Sequence, residues 1–323
     1  MQLNFAGPLN RWRALARVVC KISLGALLLP AAAAAQSPAR MPAAIYTDPR
    51  EDTAHPASTL AIEIPSHGSM MNGMVYRPSG RGPFPLVILM HGLPGNEQNM
   101  DLAQALRRAG WAVLTFHYRG SWGSEGQFSI DNVIEDAKVA VAHAADPSTA
   151  KAWNIDQTRI VVIGHSMGGL AAARSAGFGP ARLATVLIAP WDPDTLAKLL
   201  RPMSVNDRDA AAQDRWGDVS NGRLTGVSSQ EIAAQIVDHG EKWRLADGAR
   251  GLSDKPLLIV TASRDLASSK ADDLKAALNG GGAKFSALEI TSDHVFDDRR
   301  IELEAVVLDW LSQLRGATQS RQP

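Results

Sequence analysis

The sequence predicts an α/β protein with a mostly parallel central sheet that is flanked by helices on both faces. Three observations support this fold class. Short apolar runs alternate with amphipathic segments of helix length along most of the chain. One apolar run, 160–163, leads directly into Gly164-His165-Ser166-Met167-Gly168 and then into an Ala-rich helical segment. A polar, Ala-rich stretch at 193–253 interrupts the alternation once.

The apolar runs predict the strands. The first two, at 59–64 and 71–76, are separated by the turn Ser66-His67-Gly68 and are expected to pair. A further strand is the run that ends at Ser166. The remaining strands are predicted at 86–90, 112–117, 184–189, 257–261 and 285–290.

Helices are predicted between these strands at 100–109, 130–144, 270–279 and 297–314, and directly after Ser166. The helix at 130–144 has the clearest apolar face. The residues that share this face are Ile130, Val133, Ile134, Ala137, Val141 and Ala144.

The segment 193–253 contains no convincing strand but has helical pieces at 196–200, 209–215 and 230–237. A structureless loop of this length is uncommon inside a compact domain, so we interpret the segment as a helical cap inserted between two core strands. The domain that carries this cap is predicted at 56–316, and 317–323 is predicted to be a tail.

The N-terminus has the pattern of a secretory signal peptide. Four basic residues precede an apolar run at 22–35 that ends in three alanines, and the first 47 residues contain no acid. We expect cleavage after Ala35, followed by a flexible lead-in at 36–55. The alternative is a membrane anchor, but the apolar run is short of the roughly 20 residues that span a bilayer. The protein is therefore expected to be exported, periplasmic or secreted, without stable membrane insertion after cleavage.

The charge balance excludes a basic nucleic-acid-binding surface as the main interaction. The whole chain has 33 basic and 33 acidic residues. Removal of 1–35, which contains four basic residues and no acidic one, changes the balance to 29 against 33. The single cysteine, Cys20, lies in the predicted leader, so the mature protein would have no disulfide and no thiol nucleophile.

Ser166 is the candidate nucleophile. A serine between a buried strand and a helix, with glycines two residues before and two residues after it, matches a nucleophile elbow. The glycines are needed because a Cβ there would collide with neighbouring backbone. The helix that follows directs free N–H groups toward negative charge that develops at the serine.

A serine hydroxyl needs a base, and the base needs an orienting carboxylate. Asp265 follows the strand at 257–261, and His294 follows the strand at 285–290, so both are expected at the carboxyl edge of the sheet. Asp192 and Asp194 are alternative acids, because they follow the strand at 184–189. His165 is adjacent to the nucleophile but is expected to point elsewhere.

The oxyanion site is predicted from two backbone N–H groups. The loop His91-Gly92-Leu93-Pro94-Gly95-Asn96 follows the strand at 86–90 and can bring the Leu93 N–H beside the Met167 N–H. Two such donors in a dry pocket stabilise a tetrahedral oxyanion, and loss of one typically costs about 10² to 10³ in rate.

These motifs together resemble the α/β-hydrolase superfamily, in which the nucleophile, the acid and the base follow one another in this order along the chain. The resemblance covers about 58–315 and includes the segment Tyr118-Arg119-Gly120-Ser121-Trp122-Gly123-Ser124-Glu125-Gly126. The chain is most similar to the branch of cinnamoyl esterases, dienelactone hydrolases and serine aminopeptidases. It departs from dienelactone hydrolases, whose nucleophile is a cysteine.

The expected reaction is hydrolysis of a carboxylic ester through an acyl-enzyme, with Ser166, His294 and Asp265 as the triad and with no metal or other cofactor. A peptidase or amidase is the alternative and would need a carboxylate, such as Glu231, Asp238 or Glu241, to hold a free amine. A non-catalytic binding protein of the same fold is less favoured. The substrate is expected to be a small ester or a short peptide. Trp122 and Trp191 are the substrate-binding candidates, and Met203, Trp216 and Trp243 are further apolar candidates that alternatively pack the cap onto the core.

Overall fold

The computed structural model describes residues 41–179, 182–219 and 221–319. The predicted signal peptide at 1–35 and the first residues of the predicted lead-in lie outside this part. Within it, the α/β class with a mostly parallel, helix-flanked sheet is confirmed.

The described residues form one sheet of eight strands in the order β1-β2-β4-β3-β5-β6-β7-β8. The first two strands pair antiparallel with each other, β2 pairs antiparallel with β4, and the remaining neighbours are parallel. The strands are β1 Ser58–Ser66, β2 Ser69–Arg77, β3 Phe84–Met90, β4 Ala112–Phe116, β5 Ile155–His165, β6 Ala184–Ile188, β7 Leu257–Ala262 and β8 Ser286–Ile290.

The α-helices of the described chain alternate with these strands. They are α1 Ala43–Tyr46, α2 Met100–Arg108, α3 Ile130–Ala145, α4 Pro147–Trp153, α5 Met167–Arg174, α6 Pro193–Leu200, α7 Val205–Trp216, α8 Ser229–His239, α9 Ala249–Leu252, α10 Asp272–Gly280 and α11 Arg300–Gln319. Short 3₁₀ turns lie at Gly240–Trp243, Leu245–Gly248 and Ala267–Ser269.

Two apolar layers sandwich the sheet, and β3 shows why its residues are apolar without interruption. Every residue of β3 is buried. Leu86 and Ile88 belong to the layer that contains α3 and α5, whereas Val87 and Leu89 belong to the layer that contains α2 and α11. A strand with helices against both of its faces has no side that contacts water, so alternation of apolar and polar residues disappears.

The helix α3 buries the face that its sequence predicts. It begins at the N-cap Ser129, whose hydroxyl accepts a hydrogen bond from the Asn132 N–H at 3.1 Å. The six residues of the predicted face are all buried, and so is Asp136. This carboxylate is paired with Arg119 Nε at 2.6 Å, which anchors the loop after β4.

The segment between β6 and β7 is helical and comprises α6 to α9 with two of the 3₁₀ turns. Asp131 of α3 ties it to the rest of the domain, because this carboxylate accepts hydrogen bonds from Lys242 Nζ at 2.7 Å and from Trp243 Nε1 at 2.8 Å. Trp243 therefore packs the insertion onto the core and is 4% exposed.

Three details differ from the predicted boundaries. The described part of the lead-in contains the helical turn α1, where Arg108 Nε donates to the Ala44 carbonyl at 2.6 Å. The last helix continues to Gln319, three residues beyond the predicted domain end at 316. The helix α4 was not predicted; Asp146 caps it and Pro147 occupies its first turn.

No helix in the described ranges is long and apolar enough to cross a bilayer.

Candidate active site

The turn between β5 and α5 holds Ser166 in a strained conformation, with φ 56° and ψ −119°. Backbone neighbours surround it closely. A Cβ on Gly164 would overlap the Gly168 carbonyl, and a Cβ on Gly168 would overlap the Met90 carbonyl. On the opposite side, a Cβ on Gly92 would lie 2.9 Å from the Ser166 Cβ. These glycines let three backbone segments meet at the serine, as the elbow pattern predicts.

Ser166, His294 and Asp265 form a continuous hydrogen-bonded chain. His294 Nε2 lies 2.9 Å from Ser166 Oγ, and His294 Nδ1 lies 2.6 Å from Asp265 Oδ2. The ionised carboxylate can only accept a hydrogen bond, so His294 Nδ1 carries the proton and is the donor of the hydrogen bond to Asp265. The lone pair of Nε2 is then available to the serine O–H, which is the arrangement that a general base needs.

Asp265 keeps its negative charge although its side chain is only 2% exposed. Burial acts to raise the pKa of this carboxyl, but the hydrogen bonds from His294 and from the Leu266 N–H, with the electrostatic attraction of His294 and Arg215, together lower the pKa below its ordinary value. The second oxygen, Oδ1, accepts the Leu266 N–H at 2.7 Å. Each oxygen thus accepts a hydrogen bond, which holds the carboxylate toward the imidazole.

The alternative acids face other partners. Asp192 caps α6 by accepting the Asp194 N–H at 3.2 Å and the Thr195 hydroxyl at 3.0 Å. Asp194 pairs with Lys198 Nζ at 2.9 Å. Among the described residues, Asp265 is the carboxylate that bonds to His294.

His165 is hydrogen-bonded to the loop that bears His294. This buried imidazole donates from Nε2 to the main-chain carbonyl of His294 at 2.9 Å. Its side chain thus points away from the serine proton, as expected, but its contact with the loop that bears His294 was not predicted. The nucleophile-elbow motif does not predict this hydrogen bond, because the two histidines are 129 positions apart in the sequence.

The predicted oxyanion donors are Leu93 and Met167. Met167 is the first residue of α5, so its N–H has no partner within the helix. Leu93 lies opposite, on the wall of a cavity that also contains Ser166. The arrangement is compatible with the predicted pair, whose function stays a prediction.

Hydrogen bonds from His91 and Trp122 hold the loop that bears Leu93. His91 is buried, and its Nδ1–H donates to the Gly92 carbonyl at 2.8 Å. Burial lowers the pKa of His91 to about 4, so the imidazole stays neutral. Trp122 Nε1 donates to the Pro94 carbonyl at 2.7 Å, and its ring stacks on His117. Trp122 was predicted to contact substrate. In the structure its indole N–H is hydrogen-bonded to the loop, and Trp122 is not among the residues that line the cavity beside Ser166.

A cavity of about 280 Å³ opens at the triad. We call it the serine cavity and define it by its lining residues Leu93, Ser166, Trp191, Arg215, Trp216 and His294. Larger hollows of 590 and 820 Å³ lie elsewhere on the described surface and contain no member of the triad. Chemistry rather than size therefore selects the serine cavity as the candidate active site.

Two elements build the wall of the serine cavity beyond the triad. Trp191 follows β6 and lines the cavity beside Ser166, and its predicted contact with substrate stays a prediction. Arg215 and Trp216 come from the end of α7, within the insertion. The sequence singled out Trp216 as an apolar candidate but missed Arg215, because an arginine in a polar helix is ordinarily solvated.

The buried His165 generates a prediction for stability. Burial, aided by the nearby His294, lowers the pKa of His165 from an ordinary 6.5 to about 3. Between these values the unfolded chain binds a proton that the folded protein does not bind. Stability therefore falls as the pH decreases from 6.5, and this loss is absent above 6.5.

His165→Gln, which keeps an N–H donor but cannot titrate, should lose less stability than the parent between pH 7 and pH 4. The slopes should differ by up to about 1.4 kcal/mol per pH unit, measured by urea unfolding at each pH. His67→Gln, the same substitution at a turn where the side chain is 53% exposed, serves as the control. Parallel profiles for His165→Gln and the parent would refute this origin of acid sensitivity.

Comparisons with known proteins agree with the geometry. The quorum-quenching protein AidA of Acinetobacter baumannii is 32% identical over 120 residues, which are 35% of this chain and 38% of that protein. Esterase EstD of Thermotoga maritima is 30% identical over 155 residues, which are 43% of this chain and 34% of that protein. The chain thus matches less than half the length of these curated relatives.

Among solved structures, the esterase of Pyrobaculum calidifontis superposes with a TM-score of 0.58 at 20% identity, over 82% of this chain and 88% of that one. This likeness concerns the fold. The sequence profile of the alpha/beta hydrolase family matches residues 87–305, which include Ser166, Asp265 and His294. Because this match spans more than half of the chain, the protein belongs to the alpha/beta hydrolase family.

Proposed function

We propose that the protein is an exported serine hydrolase that cleaves a carboxylic ester through a covalent acyl-enzyme. The single observation that carries this proposal is the chain from Ser166 Oγ through His294 to Asp265, with separations of 2.9 and 2.6 Å. A hydroxyl, an imidazole and a buried carboxylate in this sequence of contacts are the parts required for acyl transfer.

In the proposed reaction, Ser166 Oγ attacks the ester carbonyl carbon while His294 Nε2 accepts the hydroxyl proton. The carbonyl oxygen becomes an oxyanion that the N–H groups of Leu93 and Met167 stabilise. When the intermediate collapses, the C–O bond to the alcohol breaks and His294 returns the proton to the leaving oxygen. Water, activated by the same imidazole, then cleaves the acyl-enzyme, and the acid leaves.

The dimensions of the serine cavity favour a small substrate. A cavity of 280 Å³ has room for about nine water-sized groups of ~30 Å³. Its walls include the apolar surfaces of Leu93, Trp191 and Trp216. The name of the Thermotoga maritima relative, an esterase, supports the same reaction class.

The charge in the cavity favours an ester over an aminoacyl substrate. A free amine would require a carboxylate near the scissile bond. Glu231, Asp238 and Glu241 were the candidates, but all three are exposed, and Glu231 is engaged in the capping box of α8 with Ser228. Apart from the triad, the charged side chain that lines the cavity is the cation of Arg215, which repels an ammonium group.

Export rests on the sequence alone. The basic residues, the apolar run and the three alanines at 33–35 support cleavage by a signal peptidase and delivery to the periplasm or the medium.

Ser166→Ala should abolish ester hydrolysis. With p-nitrophenyl acetate and butyrate as probes, kcat/KM should fall by at least about 10⁴-fold, because nothing replaces the nucleophile. Circular dichroism and thermal unfolding serve as the control for folding. Equal rates for parent and variant would refute the proposal, and hydrolysis confined to aminoacyl anilides would replace it with the peptidase alternative.

The two candidate acids can be separated by matched substitutions. Asp265→Asn should lower kcat by about 10³- to 10⁴-fold, because the amide no longer holds the Nδ1–H tautomer of His294. Asp192→Asn removes a helix-capping charge, so it should reduce stability by about 1 kcal/mol or less and change kcat by less than about tenfold. A larger loss of kcat in Asp192→Asn would exchange the assignments.

Expression of the full chain in a bacterial host tests export. Mass spectrometry of the mature protein should find Gln36 as its first residue and the activity in the periplasm or medium. An intact N-terminus with all activity in the cytoplasm would contradict export and leave the catalytic proposal unaffected.

A further inference from the structure

Arg215 differs from the other arginines that are buried or partly buried in the described structure. It lies at the end of α7 and lines the serine cavity with Ser166 and His294. Within the described chain it makes no hydrogen bond and no ion pair. A guanidinium carries five N–H donors and stays charged at any ordinary pH, so it needs an acceptor when it is removed from water.

The other strongly buried arginines do have acceptors. Arg119 Nε bonds to Asp136 at 2.6 Å, and Arg300 Nε bonds to Asp101 at 2.6 Å. Arg182 donates to the Ala172 carbonyl at 2.8 Å and to Ser175 Oγ at 2.7 Å. Each of these three arginines thus donates at least two hydrogen bonds within the protein, whereas Arg215 at the serine cavity has no hydrogen-bond acceptor among the described residues.

The carboxylate whose charge acts on Arg215 forms neither a hydrogen bond nor an ion pair with it in the described structure. Asp265 attracts Arg215 electrostatically, but its Oδ2 is bonded to His294 and its Oδ1 to the Leu266 N–H. Burial lowers the pKa of the guanidinium, which is the direction expected for a cation that is partly removed from water.

We propose that Arg215 binds a carboxylate carried by the substrate, so that the enzyme acts on small esters with a carboxylate near the scissile bond. This inference rests on the proposed function. A planar guanidinium binds a carboxylate through two parallel hydrogen bonds, which would fix the ester relative to Ser166 Oγ. A monoanion suits the site better than a phosphate dianion, because the cavity wall offers one cation and the negative charge of Asp265 already acts on that cation.

Ester pairs that differ only in the charge of the recognised group test this proposal. On the acyl side, monomethyl succinate is compared with methyl succinamate. On the alcohol side, acetoxyacetate is compared with acetoxyacetamide. Acid release at pH 7.5 is followed by titration. In at least one pair, kcat/KM for the carboxylate should exceed that for the amide by about 10- to 100-fold, mainly through KM.

The variant Arg215→Gln should remove this preference, because it should lower kcat/KM for the carboxylate esters far more than for their amide partners. Arg215→Lys, which keeps the charge but not the fork, should retain part of it. The matched control is Arg208→Gln, two turns earlier in α7 and outside the cavity wall, which should retain the full preference.

The outcomes distinguish this inference from the proposed function. Hydrolysis of the amide esters without any preference for their carboxylate partners would overturn the inference and leave the serine hydrolase intact. An equal loss for both members of each pair in Arg215→Gln would also overturn it, because a structural role acts on all substrates alike. If no ester were cleaved and Ser166→Ala matched the parent, both proposals would fail together.

Discussion

The backbone of Ser166 is the constraint on which the rest of the site depends. Its φ of 56° and ψ of −119° are tolerated because three glycines leave room for β3, β5 and α5 to meet around it. Strain of this kind costs of order 1–3 kcal/mol and persists only where surrounding packing enforces it. Here the fully buried strand β3 provides that packing. The strain projects the hydroxyl out of the sheet edge, where the imidazole of His294 can reach it.

The imidazole of His294, the base in our proposal, is positioned through two bonds of different kinds. Asp265 fixes the ring of His294 through its Nδ1, and His165 fixes the loop through the main-chain carbonyl of His294. The first bond involves an ion and governs the protonation of the ring. The second involves a neutral imidazole and governs the position of the backbone. The residues that follow the sheet strands thus form the proposed triad. The insertion contributes Arg215 and Trp216 to the wall of the serine cavity, and in our proposal Arg215 determines the substrate preference.

The sequence predicted what local patterns encode. Ser166, Asp265 and His294 each follow an apolar run, which predicted that these candidate catalytic groups lie at the same edge of the sheet. All three meet in the structure. Three features were not predictable in this way. The His165 bond joins positions far apart in sequence, the Trp122 indole is used by a loop carbonyl, and Arg215 enters the cavity only because the insertion folds back over the sheet edge. Such contacts depend on tertiary packing, which apolar periodicity does not record.

The most direct test is the crystal structure of the protein after reaction with a diethyl fluorophosphate, which forms a stable analogue of the tetrahedral intermediate. The account predicts a bond from phosphorus to Ser166 Oγ, with the phosphoryl oxygen about 2.7–3.1 Å from the N–H groups of both Leu93 and Met167. Phosphorus on another side chain, or a phosphoryl oxygen that faces away from both N–H groups, would contradict it.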